Sequence, residues 1–210
     1  MTHPEVILGS ASPARLRVLR QAGLDPRVLI ADIDEDSLAA ELAAAPPAEI
    51  VTRLATAKAD ALLTRVTSPD AVLLTCDSML HIGGGLAGKP HTPEVARQRW
   101  TQMSGRSANL LTGQCLTRIV DGAPVAQAAD CQSTQIRFAT LDTATIDAYV
   151  ATGEPLAVAG SFTLDGIGGW FVDGIDGDPS SVIGISLPLT RRLLARLDVD
   201  VTTLWSTRAR

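Results

Sequence analysis

Aromatic side chains are scarce, with three Trp, three Phe and one Tyr among 210 residues. A core in this chain must be built from Leu, Val, Ile and Ala. Cysteine is scarce too. Cys76, Cys115 and Cys131 are odd in number and form no C-x-x-C pair, so a disulfide framework is not expected. Reduced, buried thiols fit a cytoplasmic protein. No run of about 18 apolar residues exists, which excludes a helical membrane span. The start, MTHPEVILGS, has no basic stretch ahead of a long apolar run, so no signal peptide is expected. Positive charge is also short: 18 Lys and Arg face 23 Asp and Glu, a net −5. That argues against a surface that coats DNA or RNA, and no polymeric nucleic acid is expected as partner. A small anion is still compatible, because a few cations gathered in one cleft can grip phosphate on an acidic protein. The motifs G-x-S-x-G, H-E-x-x-H, G-x-G-x-x-G and the P-loop are all missing. His3, His81 and His91 are scattered and are assigned no chemistry.

What is present reads as an ordered globular protein, since 46% of residues are hydrophobic and 20% charged. The length suits one large domain or two closely joined lobes. Glu5–Leu8 reads as a buried strand. Ser12 and Pro13 then cap and start a helix to about Ala22, ended by Gly23. Val28–Ile33 reads as a second strand closed by an acidic turn. A helix over Ala48–Leu63 follows, with Ile50, Leu54, Ala57 and Ala61 on its apolar stripe. Ala71–Cys76 suits a buried central strand with Asp77 at its end. Gly83-Gly84-Gly85 marks a hairpin turn. Thr92-Pro93 starts a helix that Ser104-Gly105 stops. Leu110–Val120 and Pro124–Phe138 are two long strands around Asp121-Gly122. Asp142 caps a helix through Val150, Gly160–Val172 reads as strand or hairpin, and Ser186–Leu197 is a last amphipathic helix. Alternating strands and helices with long antiparallel partners make this an α/β chain with a mixed sheet.

Five segments carry candidate chemistry. Gly9-Ser10-Ala11-Ser12-Pro13-Ala14-Arg15 runs from a strand into a helix start, where free amides, the helix dipole, hydroxyls and a guanidinium converge; it reads as a phosphate cradle or as a capped surface helix. Asp77 leaves a buried strand, where it can hold a metal, orient water or cap a turn. Lys58 lies near its helix's apolar stripe, so it meets an anion or snorkels at the edge. Lys89, in Gly88-Lys89-Pro90, is a loop lysine outside any P-loop. The turn with Asp34 and Glu35 opens like a calcium loop but lacks its later ligands, and reads as a solvated acidic turn.

Taken together and in this order, these segments closely resemble the Maf family. The pattern runs through Ser10-x-Ser12-Pro13-x-Arg15, Asp34-Glu35, Leu54-Ala55-x-x-Lys58-Ala59, Asp77 and Gly88-Lys89-Pro90. It continues through Ser104-Gly105-Arg106, Thr112-Gly113, Gly153-Glu154-Pro155-Leu156, Ala159-Gly160, Gly177–Val182 and Leu187-Pro188-Leu189, covering about residues 5 to 198. The resemblance implies a single domain over residues 1–210, with two lobes around a central cleft. Its fold would be a long, curved mixed β-sheet flanked by helices, similar to inosine triphosphate pyrophosphatases. It implies hydrolysis of nucleoside triphosphates between the α and β phosphates, non-canonical nucleotides included, with Mg²⁺ or Mn²⁺, and homodimers are common in such folds. Ser10, Ser12 and Arg15 would hold triphosphate oxygens. Lys58 and Lys89 would neutralise the phosphate chain and the leaving pyrophosphate. Glu35 and Asp77 would hold the metal, and Asp77 would also accept the proton of the attacking water. Ala14, Ser78 and Asp165 depart from the better-known branches at positions bearing on base choice, and look more like the actinobacterial branch. The family is also linked to inhibition of septum formation, so a non-catalytic regulator of cell division is the alternative.

Overall fold

Leucine- and valine-rich runs, punctuated by capped helices, build a seven-stranded mixed sheet with helices on both faces. A computed structural model describes residues 3–206. Strand β1 (Glu5–Gly9) passes through helix α1 (Pro13–Gln21) to the short β2 (Arg27–Val28). Helices α2 (Glu35–Glu41) and α3 (Pro47–Leu62) lead to the long β3 (Asp70–Ile82), which turns into β4 (Gly85–Ala87). Helix α4 (Pro93–Met103) precedes the long hairpin β5 (Ser107–Val120) and β6 (Ala123–Phe138). Then come α5 (Thr143–Ala151), a segment of short 3₁₀ turns, β7 (Val172–Asp176), α6 (Pro179–Ile183) and α7 (Leu187–Arg196).

The strand order is β2-β1-β3-β5-β6-β7, with β4 added to β3. Among the described residues only β1 pairs in parallel, with β2 on one side and β3 on the other. Its carboxyl end is therefore a switch point, where chain connections leave in opposite directions and a crevice opens. Strand alternation sends Val72, Leu74 and Cys76 toward α1 and α7, and Ala71 and Leu73 toward α3. Farther along, Leu80 joins Leu110 and Ile136 beneath α4 and α5. Five aromatic residues gather there, with Trp100 set edge-on to Phe138, Tyr149 and Phe171, and Phe162 against Phe138. Gly113 lets α3 close onto β5, since a Cβ there would lie 2.3 Å from the Val51 carbonyl oxygen. Among the described residues no helix is long and apolar enough to cross a membrane, and the cysteines are free, Cys76 and Cys115 buried and Cys131 half-buried.

The caps at Ser12, Thr92 and Asp142 stand where the sequence places them, each accepting a first-turn amide, and Ser186 caps α7 in the same way. Asp121 and Gly122 turn the long hairpin with φ of 52° and 77°. Several expectations fail. The second strand is Arg27–Val28 rather than Val28–Ile33, and the acidic turn is the capped start of α2, with Asp34 accepting from the Ser37 amide at 2.9 Å. The buried stripe of α3 is Ile50, Val51, Leu54, Ala55, Lys58, Ala59 and Leu62; Ala61 is exposed and Ala57 intermediate. Gly160–Val172 is neither strand nor hairpin before Val172, because its polar groups turn inward onto Glu154. Asp77 lies mid-strand, since β3 continues five residues beyond it to pair with β5 and β4.

Candidate active site

The decisive local feature is a gap along β3. β1 pairs with β3 only as far as Thr75, opposite Gly9, and β4 pairs from Leu80, opposite Ala87. Among the described residues no strand therefore faces 76–79 on that side. Ser10 leaves β1 at one end of the gap, and Gly88-Lys89 leaves β4 at the other. The pleat also aims consecutive residues at opposite faces, so Asp77 meets α3 while Ser78 meets α1.

Arg15 enters the gap from the first turn of α1. Its Nη1 donates to the Cys76 carbonyl (3.0 Å) and to Ser10 Oγ (3.0 Å), its Nη2 to Ser78 Oγ (3.2 Å) and its Nε to the Gly184 carbonyl (2.8 Å). A guanidinium has five N–H groups. One Nη2 proton is left for a ligand. Ser10 Oγ accepts from Arg15 and from the Ser12 amide (3.2 Å), so its own proton is free to be donated. Ser12 Oγ accepts the Arg15 amide at 3.4 Å as helix cap, and its proton is free likewise. Among the described residues the amides of Ala11 and Ala14 make no hydrogen bond to protein. Donors thus converge at the positive end of a helix, the arrangement that binds phosphate.

Ser78 passes the pattern inward. Thr112 donates to the Ser181 carbonyl (3.1 Å), so the 3.1 Å contact between Ser78 and Thr112 has Ser78 as donor. The chain Arg15 to Ser78 to Thr112 to Ser181 fixes the guanidinium against α6. Gln114, fully buried in β5, similarly locks α7, accepting the Ser186 amide (2.8 Å) and donating to Thr190 (2.7 Å). Neither Thr112 nor Gln114 was singled out for a role from residue chemistry; a polar residue within the apolar run Leu110–Leu116 was the available signal.

On the opposite face Lys58 is the bridge. Its Nζ lies 2.7 Å from Asp77 Oδ1 and 2.9 Å from Glu35 Oε2. Lys58 is 7% and Asp77 6% exposed, so the snorkelling alternative is ruled out. The other carboxylate oxygen, Asp77 Oδ2, is buried and has no hydrogen-bond partner among the described residues. Burial pushes the Asp77 carboxyl above its usual range, against the pull of Lys58 and Arg15. At the half-exposed Glu35, burial pushes the same way but is outweighed by Lys58 and Lys89, which hold its carboxyl below the usual range. Lys89 is exposed, close enough to act on Glu35 through its charge. Asp165 pairs with Arg17, which shares a side of α1 with Ala14 three residues earlier. Of the three positions the resemblance links to base choice, Ser78 is tied directly to the gap, through Arg15.

Comparison with known proteins follows the same lines. A family model described as Maf-like protein matches residues 5–197. The chain is 57% identical over 208 residues to a protein of Nocardia farcinica named nucleoside triphosphate pyrophosphatase, covering 98% of each. It is 58% identical over 208 residues to one of that name in Rhodococcus opacus, covering 97% of each. A third, from Mycobacterium sp. (strain JLS), is 54% identical over 206 residues, 96% of this chain and 98% of that one.

Proposed function

The chain belongs to the Maf-like family, and on that premise we propose that it is a nucleoside triphosphate pyrophosphatase, releasing a nucleoside monophosphate and pyrophosphate. The observation that carries the reading is Asp77 Oδ2, a buried carboxylate oxygen without a partner, beside cations at a gap in the sheet. A water held by that oxygen attacks the α phosphorus. The new P–O bond forms as the bond to the bridging oxygen breaks, pyrophosphate leaves with that oxygen, and the water's proton passes to Asp77. A carboxylate whose proton affinity is raised by burial is a better proton acceptor for this task. Ser10, Ser12, Arg15 and the α1 amides grip the phosphate chain, and Lys58 and Lys89 neutralise charge that gathers on the leaving group.

Glu35 and Asp77 are the residues to hold a Mg²⁺ or Mn²⁺ ion. Hard carboxylate oxygens fit such a cation, and with Oδ2 given to the water, Asp77 Oδ1 and Glu35 Oε2, which share the Lys58 ammonium, would be the oxygens left for it. Among the described residues no three His, Cys, Asp or Glu cluster for a metal, so phosphate oxygens and water would complete the shell. When bound, the ion supplies positive charge to the polyphosphate. Asp77 cannot give one oxygen to both metal and proton, so its two oxygens divide these duties. Base choice is assigned to Ala14, Ser78 and Asp165, non-canonical nucleotides are included among the substrates, and three unbridged thiols favour the cytoplasm.

The test is a nucleotide panel assayed for pyrophosphate with Mg²⁺ or Mn²⁺. Asp77→Asn is expected to fold and to lose activity by about 10³-fold, since it removes the proton acceptor and its charge. Orthophosphate as the sole product would defeat the bond assignment. No product from any nucleotide would return the division-regulator alternative.

A further inference from the structure

One cation beside the gap has no part in the mechanism above. Arg99, on α4, is half-buried, and among the described residues no carboxylate pairs with it. Burying a guanidinium without an acid is costly unless its donors are used. Its Nη1 donates to the Gly88 carbonyl and to Ser161 Oγ (3.3 Å). Gly88 directly precedes Lys89, and its carbonyl also accepts the Gly160 amide at 3.2 Å. Beyond Pro90, the His91 amide donates to the Leu156 carbonyl at 3.2 Å. The loop is therefore clipped on both sides of Lys89, and the clip next to it is charge-assisted.

The surface it is clipped to is unusually fixed. Ser161 is fully buried with φ of 63°, a conformation that persists only where its surroundings impose it. Trp100 Nε1 donates to its carbonyl at 2.8 Å. Gly160 has φ of 73°, and a Cβ there would come within 2.9 Å of Leu80 Cβ. Trp100 sits among Phe138, Tyr149 and Phe171, which sets the rotation of α4 and so the direction of its neighbour Arg99.

We propose that Arg99 is a positioning residue, holding Lys89 at the phosphate site by tying the Gly88 carbonyl to the rigid turn at Ser161. The proposal rests on the pyrophosphatase reading, which gives Lys89 its task. Arg99 touches loop backbone rather than substrate, so its effect should pass entirely through Lys89.

The experiment is a double-mutant cycle on the full chain with Arg99→Ala, Lys89→Ala and both together. KM and kcat for the best nucleotide and inhibition by inorganic pyrophosphate are measured. Arg99→Ala should raise KM and weaken pyrophosphate inhibition about tenfold, with kcat changed much less. In the Lys89→Ala background the same substitution should change KM by less than about twofold. Arg99→Lys, which keeps charge but loses the fork, should recover part of the loss. Unchanged KM and inhibition in Arg99→Ala, or effects that multiply fully with those of Lys89→Ala, would overturn the proposal. If Arg99→Ala fails to fold, Ser161→Ala removes one acceptor only; a KM rise of about twofold, absent in the Lys89→Ala background, supports the clip, and no rise refutes it. Failure of the pyrophosphatase reading looks different, as wild-type protein would then release no pyrophosphate at all. Calorimetry with inorganic pyrophosphate then tests the clip directly: about tenfold weaker binding in Arg99→Ala supports it, and equal binding overturns it.

Discussion

At the residue scale, the arrangement turns on one ammonium shared by two unlike carboxylates. Lys58 meets both Asp77 and Glu35, yet burial lifts one acid while the cations depress the other. Environments that push paired acids apart in this way sort them into a proton carrier and a permanent anion. The sign for activity follows. Asp77 must be ionised to take a proton, so kcat/KM falls as pH drops through its raised pKa, above the ordinary 3.8. Lys58 opposes that rise. Lys58→Met should cut kcat/KM by about 10²–10³-fold and move the acid limb of the residual activity to higher pH. A pH–rate profile of this variant, with the limb unmoved, would assign the titration to another group.

At the element scale, the segment between α5 and β7 is shaped by one side chain. Glu154 accepts from Tyr149 Oη (2.9 Å), Thr163 Oγ1 (2.6 Å) and the amides of Ile167 and Gly168 (2.9 Å each). A Cβ on Gly166 would lie 2.6 Å from Glu154 Oε2, and one on Gly168 2.5 Å from the Tyr149 hydroxyl. This packed loop presents Asp165 to Arg17. Glu154→Ala should destabilise the protein by about 2–3 kcal/mol, discounted for partial exposure. That is roughly 4–12 °C in Tm for a chain of this size. Burial pushes the Glu154 carboxyl up, but the donors outweigh it and hold its pKa below the ordinary 4.5. Its stabilisation is therefore full above that value and is lost as pH falls through the lowered pKa, so the deficit of the variant should shrink in acid. Melting curves across that range decide it.

The same segment shows where sequence reading stops. Ser12, Thr92 and Asp142 were legible because a cap acts within three residues of itself, and the Asp121-Gly122 turn because only a few residues tolerate its dihedrals. The loop at 160–171 was not, since its partner Glu154 is remote and its apolar residues follow no period. The α3 stripe was misplaced by one residue or so because Lys58 interrupts the apolar pattern on the buried face. Arg15, Lys58 and Asp77 could be named as candidates, whereas the gap that unites them depends on where β1 and β4 stop pairing. Arg99 went unnoticed because its partners are a carbonyl and a hydroxyl, which leave no complementary charge to find.

At the scale of the whole molecule, the outermost long strand has a consequence for handling. β6 runs from Ala123 to Phe138, but β7 covers only Gln135–Phe138, so among the described residues its outer side is unpaired over the first three-quarters. Such a margin is a template on which other chains can nucleate fibrils or clumps. Here Pro124 lacks an amide to offer, Asp130 is exposed, and Arg196 reaches the Ala129 carbonyl at 3.4 Å. Asp130→Val should leave Tm nearly unchanged yet speed heat-induced turbidity, read by light scattering; equal turbidity would show that another device protects the margin. Cys131 sits in the same stretch, and burial lifts its thiol pKa to about 11. A thiol so rarely ionised reacts slowly with oxidants and other thiols. Concentrated stocks should therefore deteriorate by strand-to-strand sticking before they cross-link through sulfur, and added charge on the strand should preserve them better than added reductant.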